Sequence, residues 1–197
     1  RLKGDTNLTF DDSTSTLATE NLTTNGNTTL GSANTDTITA NAEFNSSLVA
    51  SSTTSDLGSS TKSWGTTFTN NLQINFGVNE QFSTITNATG VTTHDCSNGH
   101  IFFHDTPTGD FDVVLTNLTL SQNYATTITL LVEQGATGRK PNTTVTLGGT
   151  SSNILWQGGT PPTPTSSVGA VDVFCLSILR VGASNYIILG QMIEDFS

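Results

Sequence analysis

The sequence predicts an all-β protein with two unequal parts, a polar part over residues 1–80 and a core-forming part over residues 81–197. Ser, Thr and Asn fill half of the first 80 positions, where only 17 residues are large and apolar. The other 117 residues include 37 large apolar residues, grouped in short runs between turn residues. No stretch keeps the 3,4 spacing of an amphipathic helix beyond two turns, so strands are expected throughout.

Single apolar residues recur regularly in the first part, where Leu22, Leu30 and Ile38 lie eight residues apart. Residues 36–44 alternate apolar and polar, which is typical of a half-buried strand. Burial in one such short strand contributes roughly 2–3 kcal/mol, whereas ordering the backbone costs about 1–2 kcal/mol per residue. We therefore expect an intertwined trimeric β shaft of short strands, in which three chains share their apolar residues. A single-chain solenoid is the alternative.

The second part has longer apolar runs separated by turn signals, a pattern that predicts a C-terminal β-sandwich knob with a jelly-roll-like arrangement. Its Pro-rich segment, from Pro161 to Pro164, predicts an extended exposed loop between two core strands. The runs expected to form strands are Ile101–Phe103, Phe111–Leu115, Ile128–Val132, Val145–Leu147, Ile154–Trp156, Val171–Leu179 and Tyr186–Ile193.

The charge balance and the cysteine content narrow the range of partners. Sixteen acidic against six basic residues give a net charge of −10, which argues against nucleic-acid binding. No apolar stretch approaches the roughly 20 residues of a bilayer span, so no membrane insertion is expected. Cys96 and Cys175 are expected to be reduced core thiols rather than a bridge. Because the chain begins at Arg1, we expect a processed product or the C-terminal part of a longer protein.

The three histidines, His94, His100 and His104, lie close together in the sequence and are weak candidates for a metal site. On a strand, His100 and His104 would share a face, and His94 could approach across the Ser97-Asn98-Gly99 turn. The spacing matches no zinc motif, and a Gly-containing hairpin with polar ends is common. The sequence therefore predicts no metal or other cofactor.

No catalytic residues are predicted, and the chain is not expected to be an enzyme. No Gly-x-Ser-x-Gly elbow occurs, and Cys96 beside His94 lacks a third group to orient the pair. Asp110 and Asp112 form the closest same-face pair of carboxylates, in a segment expected to be a loop.

Surface recognition is assigned to loops, because a rigid β scaffold presents its binding residues there. The loops chosen are 105–110, 137–141 and 158–167. Trp64 and Trp156 are possible stacking platforms for sugars, although aromatic side chains more often fill a core. The candidate recognition residues are Trp156, the basic pair Arg139 and Lys140, and the prolines Pro161, Pro162 and Pro164.

Two segments of the first part resemble virion proteins of marine bacteriophages, especially the tail fibres of cyanophages. One is Asp56-Leu-Gly-Ser-Ser-Thr-Lys-Ser-Trp-Gly-Thr-Thr-Phe-Thr-Asn-Asn-Leu72. The other, Gly26 to Ala42, is similar to the low-complexity shaft repeats of those proteins. The second part resembles their C-terminal module in Gln134-Gly-Ala-Thr, Pro141-Asn, Ile154-Leu-Trp-Gln-Gly-Gly159, Asp172-Val-Phe and Leu189-Gly-Gln191.

The resemblance implies a homotrimer on the virion surface, in contact with other virion proteins, and it supplies no catalytic residues. We expect a tail fibre that attaches the particle to its host, with a host surface glycan as a candidate ligand. One alternative is a capsid decoration or head-fibre protein. A second alternative, from a different class, is a secreted carbohydrate-binding module or depolymerase.

Overall fold

The computed structural model describes residues 8–11, 13, 16–19, 23, 25, 67, 69–75 and 77–197. Its contacts divide the chain into two units, Arg1–Thr69 and Asn70–Ser197. The described part of the first unit contains an antiparallel hairpin of β1 (Leu8–Asp11) and β2 (Thr16–Thr19). The strand expected at 36–44 and the residues Leu22, Leu30, Ile38 and Trp64 lie outside the described residues. The trimeric shaft and the boundary after residue 80 stay predictions.

Within the described residues of the second unit, nine strands and two short 3-10 turns occur, and no α-helix does, which confirms the all-β prediction. The 3-10 turns are Cys96–Asn98 and Gln157–Gly159. The strands are β3 (Phe82–Thr86), β4 (Gly90–Asp95), β5 (Ile101–Asp105), β6 (Phe111–Thr116), β7 (Ala125–Glu133), β8 (Pro141–Leu147), β9 (Thr150–Trp156), β10 (Val171–Gly182) and β11 (Asn185–Phe196).

The nine strands described here form one curled sheet in the order β3-β5-β7-β10-β11-β9-β8-β6-β4. From β3 to β8 the chain alternates between two ladders, so that β3, β5 and β7 pair in parallel on one side. In the same way β4, β6 and β8 pair in parallel on the other side. The chain thus makes three turns of a coil, and β9, β10 and β11 join the two ladders.

The connectivity differs from the expected jelly roll, whose strands are antiparallel. Of the eight strand pairs described in this sheet, five are parallel and three are antiparallel. Parallel neighbours need a crossover, and here each crossover is a strand of the opposite ladder rather than a helix. The jelly-roll-like sandwich is therefore not confirmed, and the structure shows a single curled sheet in its place.

One hydrophobic core lies between the two halves of the curled sheet, because each strand alternates buried and exposed residues. On β10 the buried residues are Phe174, Leu176 and Ile178, and β6 and β7 show the same period of two. The fully buried side chains come from both ladders, as Phe102 and Phe111 illustrate. The inner faces of the two ladders therefore pack on each other.

Trp156 is buried at the end of β9, with 7% of its surface exposed, and it packs edge-on against Phe174 at a ring distance of 6.3 Å. The ring lies where Gly190 of β11 has no side chain. A Cβ atom at Gly190 would be 2.5 Å from Ile154 Cγ2 and 2.7 Å from Trp156 Cε3. The prediction that Trp156 is a surface recognition residue is wrong, because its strand directs it into the core together with Ile154.

We expect Gly190→Ala to destabilise the second unit, because the added methyl group overlaps the Trp156 ring. Overpacking of this kind costs about 1–3 kcal/mol in the free energy of unfolding. Gly135→Ala is the matched control, since no atom lies within 4 Å of a Cβ atom built there. Denaturant unfolding followed by tryptophan fluorescence measures both variants, and equal stabilities for the two would contradict the packing described here.

Candidate functional site

The turns that follow β3, β5, β7 and β9 lie beside one another at one end of the coil, and we call this end the loop edge. Backbone hydrogen bonds run from each turn to the next: Thr108 N–H donates to the Ala88 carbonyl, and Phe111 N–H donates to the Lys140 carbonyl. The Lys140 N–H also donates to Asp110 Oδ1 at 3.2 Å. The loop edge is therefore a continuous row of turns rather than a set of independent loops.

A buried carboxylate, Asp172 at the start of β10, ties the longer turns of the loop edge together. It accepts hydrogen bonds from Thr165 N–H at 2.8 Å, from the Thr165 hydroxyl at 2.7 Å and from Gln134 Nε2 at 2.9 Å. The Asp195 N–H donates to it as well, at 3.1 Å. Four donors satisfy this charge inside the protein, where an unpaired carboxylate would be very costly.

Gln134 is the second buried member of this network, and its amide group binds the backbone of the following turn. Its Oε1 accepts from the Arg139 N–H at 2.7 Å, and its Nε2 donates to the Arg139 carbonyl at 2.8 Å. Its own backbone exchanges hydrogen bonds with Gly169 and Ala170. Gln134 therefore holds the 135–140 turn and the end of the Pro-rich loop at fixed positions.

The structure brings the basic pair Arg139 and Lys140 into contact with the Pro-rich loop. Lys140 Nζ donates to the Pro162 carbonyl at 2.9 Å, and Gly138 N–H donates to Ser166 Oγ at 3.3 Å. The approach at Gly138 is close, since a Cβ atom there would be 2.6 Å from the Thr165 carbonyl oxygen. Of the six candidate recognition residues, Arg139, Lys140, Pro161, Pro162 and Pro164 lie at the loop edge, and Trp156 is in the core.

Two of the three histidines meet in the core, on opposite ladders. His94 Nε2 and His104 Nε2 are 3.0 Å apart, and neither side chain is exposed. His100 lies apart from them, with its Nδ1 3.0 Å from the Thr126 hydroxyl. Among the described residues, no three His, Cys, Asp or Glu side chains form a group that could hold a metal.

The contacts of the pair determine the positions of its protons. His94 Nδ1 lies 3.1 Å from the Thr92 carbonyl oxygen, which can only accept, so this nitrogen carries the proton. His94 Nε2 is then the acceptor, and His104 Nε2–H is the donor. His104 Nδ1 is left as a buried acceptor without a hydrogen-bond partner. Both rings are therefore neutral in the folded protein.

Burial holds the pKa of both histidines well below the usual value. Removal from water lowers the pKa of His94 to about 4, although hydrogen bonds to the backbone of Thr92 and Val114 oppose the shift. Burial, together with the charge that His94 would carry, lowers the pKa of His104 to about 3. The ring of His104 is also stacked on Phe111 at 4.2 Å, which leaves no room for water around a charged imidazole.

The carboxylates and thiols considered for catalysis have structural roles or lie apart. Asp110 accepts from the Lys140 backbone, and Asp112 accepts from Asn142 Nδ2 at 2.7 Å. Both thiols are free. Cys96 is buried, and burial, with the nearby charge of Asp95, raises the pKa of this thiol to about 11, which makes it a poor nucleophile.

No protein-family model, no curated protein and no solved structure matches this chain. In the described part of the chain, no helix has the length and apolar character needed to cross a membrane. The loop edge is therefore interpreted from its own chemistry. It offers backbone groups, hydroxyls and two basic side chains on a rigid support.

We expect Asp172→Asn to loosen the loop edge, because the new amide group brings hydrogens toward Thr165 and Gln134, which already donate. Leaving such buried donors unsatisfied costs about 1–3 kcal/mol each. Denaturant unfolding and limited proteolysis within residues 134–170 measure the effect. Asp105→Asn is the control, since only the Thr106 hydroxyl donates to the Asp105 side chain. Equal protease resistance of the two variants would contradict the role of Asp172.

We also expect the stability of the second unit to fall between pH 6.5 and 4. The two buried histidines bind protons in the unfolded chain below pH 6.5, but the folded protein resists protonation until about pH 4 or lower. At pH 5 each shift removes about 2 kcal/mol of the free energy of unfolding relative to pH 7. Asp95, whose pKa is lowered by hydrogen bonds from Asn117 and Ser97, contributes only at more acidic pH.

Denaturant titrations at pH 7 and pH 5 measure this difference. His104→Gln should reduce the loss of stability by about half, since one titrating group is removed. His100→Gln, at the histidine that lies apart from the buried pair, is the matched control substitution. A stability that is constant from pH 7 to pH 5 would show that the pair is not a neutral buried pair.

Proposed function

We propose that this chain is a structural component of a phage virion, a homotrimeric tail fibre that mediates attachment to the host surface. Residues 1–80 would form the β-rich shaft, and the curled sheet of the second unit would be the knob. The support for the virion assignment is the sequence resemblance of the Asp56–Leu72 segment and of the shaft-like repeats. The shaft is expected to extend the knob away from the particle.

The observation that carries the attachment role is the rigid loop edge. Recognition needs side chains held in place, because ordering a mobile loop on binding costs free energy. Here the buried Asp172 and Gln134 side chains fix the 135–140 turn and the Pro-rich loop from below. The same turns present Arg139, Lys140 and the exposed Thr163 near the surface.

The chemistry of the loop edge suits a sugar ligand. Hydroxyl and carbonyl groups of the Pro-rich loop can exchange hydrogen bonds with sugar hydroxyls. Arg139 and Lys140 are two of only six basic residues in the chain, and they would attract an anionic group on a host glycan despite the net charge of −10. A host surface glycan is therefore the proposed ligand.

The test uses purified phage particles and the recombinant full chain. Sedimentation should show an elongated trimer, and antibodies against the chain should label the tail in electron micrographs. Particles carrying Arg139→Gln should adsorb to host cells more slowly by a factor on the order of ten, if Arg139 is a central contact. Gln122→Ala, an exposed change in the turn between β6 and β7 at the other end of the coil, is the control.

The alternatives give different results in the same experiments. Labelling of the capsid would identify a decoration or head-fibre protein. Cleavage of a host polysaccharide by the recombinant chain would identify a depolymerase, and glycan binding by a chain absent from the particle would identify a secreted binding module. A compact monomer in sedimentation would contradict the fibre assignment.

A further inference from the structure

The outer face of the sheet formed by β3, β5, β7, β10, β11 and β9 carries an apolar patch centred on β10 and β11, whereas the outward positions of β3 and β7 include four threonines. Rows of outward side chains cross the strands in register. One row runs from Phe103 to Leu131, Val173 and Ile193. Another joins Ser177, Leu189 and Leu155. The exposed large apolar side chains of this face are Phe82, Leu155, Ile187, Leu189 and Ile193.

The middle of this outer face carries no charge. The outward positions of β10 from Val171 to Leu179 are Val, Val, Cys, Ser and Leu, and those of β11 from Ile187 to Ile193 are Ile, Leu, Gln and Ile. The carboxylates of the face, Asp105 and Glu133, lie at the ends of their strands beside the loop edge.

The outer face leaves large apolar side chains open to water. Phe82, Leu155, Ile187, Leu189 and Ile193 are each between 39% and 58% exposed. A shallow groove of about 430 Å³ lies within this face, lined in part by Leu155, Cys175, Leu189 and Gln191. Such a groove lets side chains of a facing surface interdigitate, as packing at an interface core requires.

We propose that this outer face is the contact surface between copies of this chain. The proposal rests on the homotrimer of the proposed function, which brings copies side by side along the shaft. A partner of opposite charge would gain nothing from a neutral face, whereas three copies that turn this same face toward a common three-fold axis cover it for one another. Burial of this area on assembly supplies the driving force, because it removes apolar surface from water.

Cys175 lies in the groove and reports directly on the contact. Its thiol is free and half-buried, on the outward side of β10. In the assembled protein the facing copy covers it, so a thiol reagent should label it slowly. The full-length chain is used, so that the shaft remains present in every variant. Labelled peptides identified by mass spectrometry separate Cys175 from the buried Cys96.

Leu189→Lys and Leu189→Glu test the contact with opposite charges. Each places a charge at the centre of the outer face, and each should increase the labelling rate of Cys175 by about tenfold or more as the knobs separate. Because the two charges shift the reactivity of a nearby thiol in opposite directions, an increase in both variants reports on exposure. Val91→Lys is the control, since Val91 is equally apolar and is 76% exposed on the other ladder.

The outcomes separate this inference from the proposed function. A trimer in which wild-type Cys175 is labelled as fast as in both Leu189 variants contradicts the outer-face contact alone. A wild-type monomer contradicts both the contact and the fibre. Slow labelling that both variants relieve, in a protein absent from phage particles, supports the contact and contradicts the fibre. Circular dichroism of each variant confirms that the altered chain is folded.

Discussion

The constraint on which the second unit depends is the alternation of the chain between two parallel ladders. From β3 to β8 each strand pairs with the strand two positions away in sequence, and β7 and β8 pair in addition with β10 and β9. The alternation also sends the turns between strands to two opposite ends. The same arrangement therefore produces one shared core, one loop edge and two outer faces of different character.

The inner face of the sheet and the outer faces of its two ladders differ in the side chains that they carry. Inward positions are mostly apolar, and among the buried polar groups Asp172 accepts four hydrogen bonds. Outward positions of β10 and β11 are also largely apolar, whereas those of β8 are Asn142, Thr144 and Thr146. The period of two alone would predict polar outward positions on both ladders. The apolar outward positions on one ladder are the basis of the proposed contact between copies.

Much of this fold could be predicted from the sequence, because long apolar runs bounded by Gly and Pro mark strands. All seven runs chosen in this way are strands in the structure, including Val171–Leu179 within β10. Strands β3 and β4 were missed, since segments such as Gly90–Asp95 have one large apolar residue among threonines. The parallel pairing could not be predicted either, because a period of two fixes which side chains point inward but not which strand lies alongside.

The exposed loops of the candidate site were predicted from the sequence, but the buried side chains that hold these loops were not. The turn with Arg139 and Lys140 is predicted from its basic pair, and the Pro-rich loop from prolines that favour an extended, exposed segment. Asp172, which holds them, could have been found, as it is a carboxylate inside the longest apolar run, Val171–Leu179. Gln134 carried no such signal. The inward orientation of Trp156 could have been predicted, because a spacing of two residues places Trp156 and Ile154 on the same side of β9.

The parallel coil also has a consequence for how such a protein can change during evolution. Paired positions in successive turns need not be evenly spaced, since Phe82 and Ile101 are 19 residues apart and Ile101 and Thr129 are 28 apart. The difference is taken up in the turns, and the ladders keep their register. An insertion in one turn would therefore add new surface to one end of the coil and leave the neighbouring strands paired as before.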